Sequence, residues 1–153
     1  MAVNAHSTRF SLATLCCFLL LLALLPSIGL AQISDDGFNP SPNNSVQKLA
    51  VQADGKVIVG GDFTVIRANT RMRLARLNVD GTLDGFFAAT PVDDTVRAIV
   101  VQANGQIVIG GNFNQVGGSV RNHLARLNAD GTLDMSFNPI VNNTVSTLAL
   151  QAD

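Results

Sequence analysis

The sequence predicts an all-β chain of repeated four-stranded units, and three observations carry this. Two stretches recur at an offset of 50: Val46–Phe63 (VQKLAVQADGKVIVGGDF) with Val96–Phe113 (VRAIVVQANGQIVIGGNF), and Leu74–Asp84 (LARLNVDGTLD) with Leu124–Asp134 (LARLNADGTLD). All eleven acidic residues are aspartate, which favours turns and caps, whereas the missing glutamate favours helix interiors. Short β-branched runs are punctuated by Asp-Gly and Asn-Gly, the strongest short-range hairpin signals.

The first thirty residues stand apart from this pattern. Arg9 is the sole Lys, Arg, Asp or Glu before Asp35, and Phe10–Leu25 is an apolar run of 16 residues broken by Pro26. Gly29-Leu30-Ala31 places small residues where a signal peptidase reads, so 1–31 is expected to be a secretory signal peptide cleaved between Ala31 and Gln32. The rival, an uncleaved membrane anchor, needs roughly 20 apolar residues. Both cysteines, Cys16 and Cys17, fall inside the run. The exported part, 32–153, therefore has no thiol for a disulfide or a metal site. It carries nine basic and eleven acidic side chains, a net charge near −2. No basic block marks a nucleic-acid partner, and no membrane contact is expected after cleavage.

Within 32–153 the repeat divides the chain into a partial copy (35–45), two full copies (46–95 and 96–144) and a second partial copy (145–153). The earlier tail, Asp35–Phe38 (DDGF), matches Asp134–Phe137 (DMSF), and the third start, Val145–Asp153 (VSTLALQAD), lies 49 residues after Val96. Each full copy reads as four strands. The first is Val46–Gln52 (Val96–Gln102), closed by a turn at Ala53-Asp54-Gly55 (Asn104-Gly105 in the second copy). The second, Lys56–Gly60 (Gln106–Gly110), is a continuous apolar run of the kind buried on both faces. The third is Arg73–Asn78 (His123–Asn128), followed by Asp80-Gly81 (Asp130-Gly131). The fourth runs from Thr82 toward Phe87 (Thr132 toward Phe137). A variable loop, Thr64–Met72 and Asn114–Asn122, separates strands two and three. Strands at this spacing, with glycine turns and a period near 50, predict β-propeller-like blades of four antiparallel strands.

The phrases IVIGGNF and LARLNADGTLDMSF, with VQADGK before them, resemble the bacterial delta-60 repeat, a β-propeller family. The resemblance spans about Asp35 to Asp153 and implies a propeller fold in a secreted or surface protein. It implies no reaction. Kelch repeats share the period and the Gly-Gly pair, but usually carry later Tyr and Trp, which this chain lacks. A closed propeller takes about four to eight blades. The expected propeller is therefore incomplete: either the chain is a fragment, or further blades of the same chain or an oligomer close the fold.

Candidate chemistry is sparse. Asn78, Asp80, Thr82 and Asp84 (Asn128, Asp130, Thr132 and Asp134) cluster oxygens as some calcium loops do, yet lack the terminal Glu of an EF-hand. Turn capping by Asp80 and Asp130 is the simpler reading. Gly60-Gly61 and Gly110-Gly111 have no following Lys-Ser/Thr for a P-loop, and fit a bulge or a close backbone approach. Phe63, Phe87, Phe113 and Phe137 fit inter-blade packing. Arg76 and Arg126 are expected to pair with Asp84 and Asp134, or with Asp80 and Asp130. His123 replaces Arg73 of the first copy, so it is no feature of the repeat and fits a surface or loop histidine. Asp35-Asp36 and Asp93-Asp94 fit solvated loops better than paired glycosidase acids. Asn43-Asn44-Ser45 and Asn142-Asn143-Thr144 are glycosylation sequons at matching positions, read in a bacterial protein as turn residues. No catalytic, cofactor or metal residue is assigned. The expected function is a secreted, non-enzymatic module, structural or binding a protein or glycan at its inter-strand loops. The alternative is part of a larger propeller hydrolase or lyase with its catalytic residues elsewhere.

Overall fold

The structure, a computed structural model, describes residues 38–88 and 90–151. The expected signal peptide and the Asp35-Asp36 pair lie outside the described residues. Two equivalent blades account for most of what is described. In blade 1, β1 (Val46–Val51) pairs antiparallel with β2 (Val57–Gly61). A small hairpin of β3 (Val65–Ile66) and β4 (Asn69–Thr70) follows, and β5 (Leu74–Leu77) completes a sheet of order β1-β2-β5. Blade 2 repeats this with β6 (Val96–Val101), β7 (Ile107–Gly111), the β8 (Gln115–Val116) and β9 (Ser119–Val120) hairpin, and β10 (Leu124–Leu127). The described residues contain no α-helix, as the all-β reading expects.

Three details depart from the sequence reading. The fourth strand shrinks to one bridge per blade, Leu77 with Leu83 and Leu127 with Leu133. Asp84 turns its carboxylate inward onto Lys56 and Arg76, and the chain then turns away instead of extending the ladder. The variable loops are not irregular but carry the β3–β4 and β8–β9 hairpins. The third strand begins one residue late, because Arg73 and His123 sit at φ of 66° and 64°, outside the extended region. Residues 145–151 of the second partial copy form no strand among the described residues.

The hairpins obey one rule. Gln52 N–H donates to Lys56 O at 2.8 Å and Gly55 N–H to Gln52 O at 3.0 Å. Asn78, Thr82 and Gly81 repeat the pattern, as do both turns of blade 2. Each loop therefore has three residues with the glycine left-handed, at φ of 76° to 88°, a turn completed by a glycine bulge.

The core lies between the blades. Ile58 and Leu74 of blade 1 join Phe87, Val92, Val96, Ile99, Ile107, Ile109, Phe113 and Leu127 in one buried cluster. A second cluster of Val59, Phe63, Ile66, Ala75 and Leu77 lies on the opposite side of blade 1. Antiparallel strands alternate faces, so β2 sends Ile58 and Gly60 toward blade 2, and Val57 and Val59 the other way.

Candidate functional site

Each variable hairpin is fastened to its blade by a residue near the end of the preceding copy of the repeat. The Asn43 side chain donates to Thr64 Oγ1 at 2.9 Å and accepts the N–H groups of Thr64 and Val65, both at 2.9 Å. Fifty residues on, Asp93 accepts the N–H groups of Asn114 and Gln115, both at 3.0 Å. Asp93 is thus an anchor for the loop, not simply a solvated loop acid, and the Asn43 amide is engaged within the fold rather than displayed as a glycan acceptor. The frame is shared while the tips differ. Arg67-Ala68 in blade 1 and Gly117-Gly118 in blade 2 hold the same two left-handed positions, at φ of 48° and 60° against 59° and 77°.

A cleft of about 420 Å³ opens between the two hairpins. Thr64, Met72 and Arg73 of blade 1 face Val92, Asp93 and Gln115 of blade 2 across it. Met72 is 46 % exposed at its edge. The Arg73 guanidinium is tied to the Asp62 carbonyl, so the wall on that side is held from behind. The cleft offers a cation, an anion and an amide around an apolar floor, a lining suited to hydrogen-bonded recognition and lacking an acid–base pair in contact.

The Asp-Gly turns use their oxygens internally. Asp80 Oδ1 accepts the Thr82 N–H at 2.9 Å and the Thr82 hydroxyl at 2.6 Å, and Asp130 does the same with Thr132. These bonds hold both carboxyls below the usual carboxylate range. Asp84 instead takes Lys56 Nζ at 2.9 Å and Arg76 Nε at 2.8 Å. Burial acts to raise its pKa, but the Lys56, Phe86 and Arg76 hydrogen bonds outweigh it and hold it at about 2. Asp134 is also held at about 2, chiefly by the Ser136 hydroxyl and N–H and then by Arg126. Of the two pairings open from sequence, Arg76 and Arg126 therefore take Asp84 and Asp134. No group of three His, Cys, Asp or Glu side chains among the described residues could hold a metal ion.

The recurring glycines, with Phe87 and Phe113, build the joint between blades, whereas Phe63 packs in the cluster on the opposite side of blade 1. A Cβ at Gly60 would stand 2.7 Å from Val96 Cγ1, and one at Gly61 would collide with the Ser45 carbonyl. The ladder shifts register opposite these glycines, between Val46 and Lys48 and between Val96 and Ala98, so the pair marks a bulge and a close approach. Phe87, 2 % exposed, stacks under the Arg76 guanidinium at 4.6 Å. A Cβ at Gly131 would lie 2.8 Å from its ring. Arg76 Nη1 then crosses to blade 2 and donates to the Ala129 carbonyl at 2.8 Å. Phe63 and Phe113 are fully buried within the two core clusters.

His123 sits at a strand entrance. Its backbone donates to Phe113 O and accepts from Gly111, while its Nδ1 is buried without a hydrogen-bond partner. Arg73 makes the same two backbone bonds in blade 1, so the position serves the backbone and the histidine is incidental to it. Sequence reasoning missed Lys56, which completes the Asp84 pair, and its counterpart Gln106, which donates to Asp134 at 3.2 Å. The signal was their shared place just after a hairpin glycine, beginning a strand beside the Arg.

A family model described as a β-propeller domain of unknown function, DUF5122, matches residues 52–86 and 102–137. The matched segments start at equivalent glutamines and end within the Phe-bearing turns. No curated protein and no solved structure matches the chain. Two matched segments falling on two equivalent blades make this a chain of β-propeller repeats.

Proposed function

We propose that the chain is an exported, non-enzymatic propeller module of the delta-60 type that binds a protein or glycan ligand at the β3–β4 and β8–β9 hairpins. One observation carries this reading: the cleft between the hairpins has a fixed frame and differing tips. Asn43 and Asp93 anchor both hairpins by the same bonds, so tip residues change without loss of the blade. Binding loops on rigid scaffolds have this character. The apolar run Phe10–Leu25, followed by Pro26 and Gly29-Leu30-Ala31, supports export.

The test uses glycan arrays and cell-surface protein pull-downs with the full chain, beside Met72→Glu and Gln115→Arg variants. A ligand whose binding falls at least about tenfold, or 1.4 kcal/mol, in both variants supports the cleft. Ligands indifferent to both substitutions, or none on either platform, would count against it. Export is tested separately, by sequencing the N-terminus of the mature protein, which is expected at Gln32.

A further inference from the structure

We propose that a second cleft between the blades binds a primary ammonium group on an aliphatic stem, with Gln52, Asp54 and Gln102 supplying the oxygens. This cleft, of about 460 Å³, lies at the opposite end of β2 from the variable hairpins, where the Ala53-Asp54-Gly55 turn of blade 1 meets the corresponding turn of blade 2. Gln52 and Asp54 line one side, and Gln102 and Ala129 the other. Both walls belong to blades that share one buried core, so the cleft needs no further blade to form.

The side-chain oxygens of Gln52 and Gln102 are buried and accept no hydrogen bond. Elsewhere the blades put such amides to use: Gln47 donates to Asp62 at 2.9 Å and Gln106 to Asp134 at 3.2 Å. A buried acceptor without a donor destabilises the free protein, and a ligand donor that pairs with it recovers the loss. The backbone of each glutamine is fixed, because its N–H and carbonyl close the hairpin turn. Each amide can therefore swing into the cleft without disturbing its blade. Among the described residues Asp54 spends only Oδ1, which accepts the Lys56 N–H at 3.1 Å, so Oδ2 stays open. Two amide oxygens and one carboxylate oxygen match the three donors of an ammonium group. Arg76 also lines the cleft but opposes a cation little. Its charge is met by Asp84 at 2.8 Å, and its Nη1 is held on the Ala129 carbonyl. Val51 and Val101 lie alongside, Val101 packed against the inter-blade core. An aliphatic stem lies along them while its charged head reaches the oxygens.

Titration of the full chain with Nα-acetyl-lysine methylamide, followed by amide NMR shifts, reads the proposal. Saturable shifts are expected at Gln52, Asp54 and Gln102, including the glutamine side-chain amides. Gln102→Leu removes an acceptor and Asp54→Asn a charge, and each should weaken binding at least about tenfold. Asp54→Asn copies Asn104 of the second repeat, so it keeps the turn, and circular dichroism checks the fold of both variants. Met72→Glu, at the other cleft, should change nothing here, which separates this site from the hairpin site. Spermidine runs in parallel: tighter binding than the lysine derivative assigns the ligand to free polyamines, the reverse to a lysine of a partner protein, and either upholds the ammonium class. No saturable shift with either probe overturns the proposal. So does binding unaffected by Gln102→Leu, or equal binding of Nα-acetyl-norleucine methylamide, which has a similar apolar stem and no ammonium. Calcium chloride moving these signals where the ammonium probes do not would make the oxygens a metal site and overturn it too.

Discussion

Replacing Asp84 by Asn removes one charge from a buried triad, and the structure sets the size of the effect. Asp84 is 2 % exposed, with Arg76 Nε at 2.8 Å and Lys56 Nζ at 2.9 Å on the same oxygen. Burial works against its ionised form, and the two cations with the Phe86 N–H bring the pKa down from 3.8 to about 2. A drop of that size corresponds to about 2 kcal/mol of stability at neutral pH. Because the folded-state pKa is depressed, this contribution is whole above the unfolded value of 3.8 and fades as pH falls through about 2. The substitution also leaves Arg76 without its carboxylate, at 10 % side-chain exposure, and breaking a buried pair costs about 3–5 kcal/mol. Lys56 is 30 % exposed and regains water, so the lower end, about 3 kcal/mol, is expected. Urea unfolding followed by circular dichroism near pH 7 and near pH 2 measures both effects. The gap between wild type and Asp84→Asn should be largest at neutral pH and shrink in acid. A gap below about 1 kcal/mol at neutral pH, or one that stays constant into acid, would refute the account of the triad.

Gly131→Ala meets a left-handed φ of 88° and the Phe87 ring. Gly118→Ala meets a φ of 77° with nothing within 4 Å. Chemical denaturation should show about 1–2 kcal/mol lost at Gly118 from the backbone alone and more at Gly131, the excess measuring the Phe87 seat. Asn43→Ala should accelerate hydrogen exchange at the Thr64 and Val65 amides, whereas Asn43→Asp, copying Asp93, should leave them protected. Ala68→Gly places a glycine at φ of 60°, as blade 2 does at Gly118, and should raise stability by up to about 1 kcal/mol in the same denaturation assay.

The parts of the blade governed by local chemistry were legible in the sequence. Ala53-Asp54-Gly55 had to turn, Val57-Ile58-Val59 had to be central, and Gly60-Gly61 had to admit a neighbour. The parts governed by distant partners were not. Thr82 to Phe87 has no residue forbidding a fourth strand; the strand stops because the Asp84 carboxylate is claimed by Lys56, 28 residues earlier. Arg67-Ala68 carries no sign of a left-handed turn, and the β3–β4 hairpin emerges only once Asn43 holds its first strand. Nor could spacing choose between Asp80 and Asp84 as the partner of Arg76, since both lie within reach until the turn spends Asp80 on Thr82. The loops Thr64–Met72 and Asn114–Asn122 are legible as places of variation, but the walls of the cleft between them come from two repeats, and no single-repeat pattern contains it.

The atoms that cross the joint have a genetic consequence. Arg76 crosses to the carbonyl of Ala129, Thr90 to that of Gly131, and the Ala88 N–H to that of Asp130. These three acceptors are main chain, present whatever the local side chain, while the Thr95 hydroxyl crosses to a side chain, the Asp62 carboxylate. A copy of the unit inserted by unequal recombination therefore arrives with its donors and acceptors already in register with both neighbours. Such a gene can lengthen or shorten by whole units of about fifty codons with few compensating substitutions, because each joint depends on nearest neighbours alone.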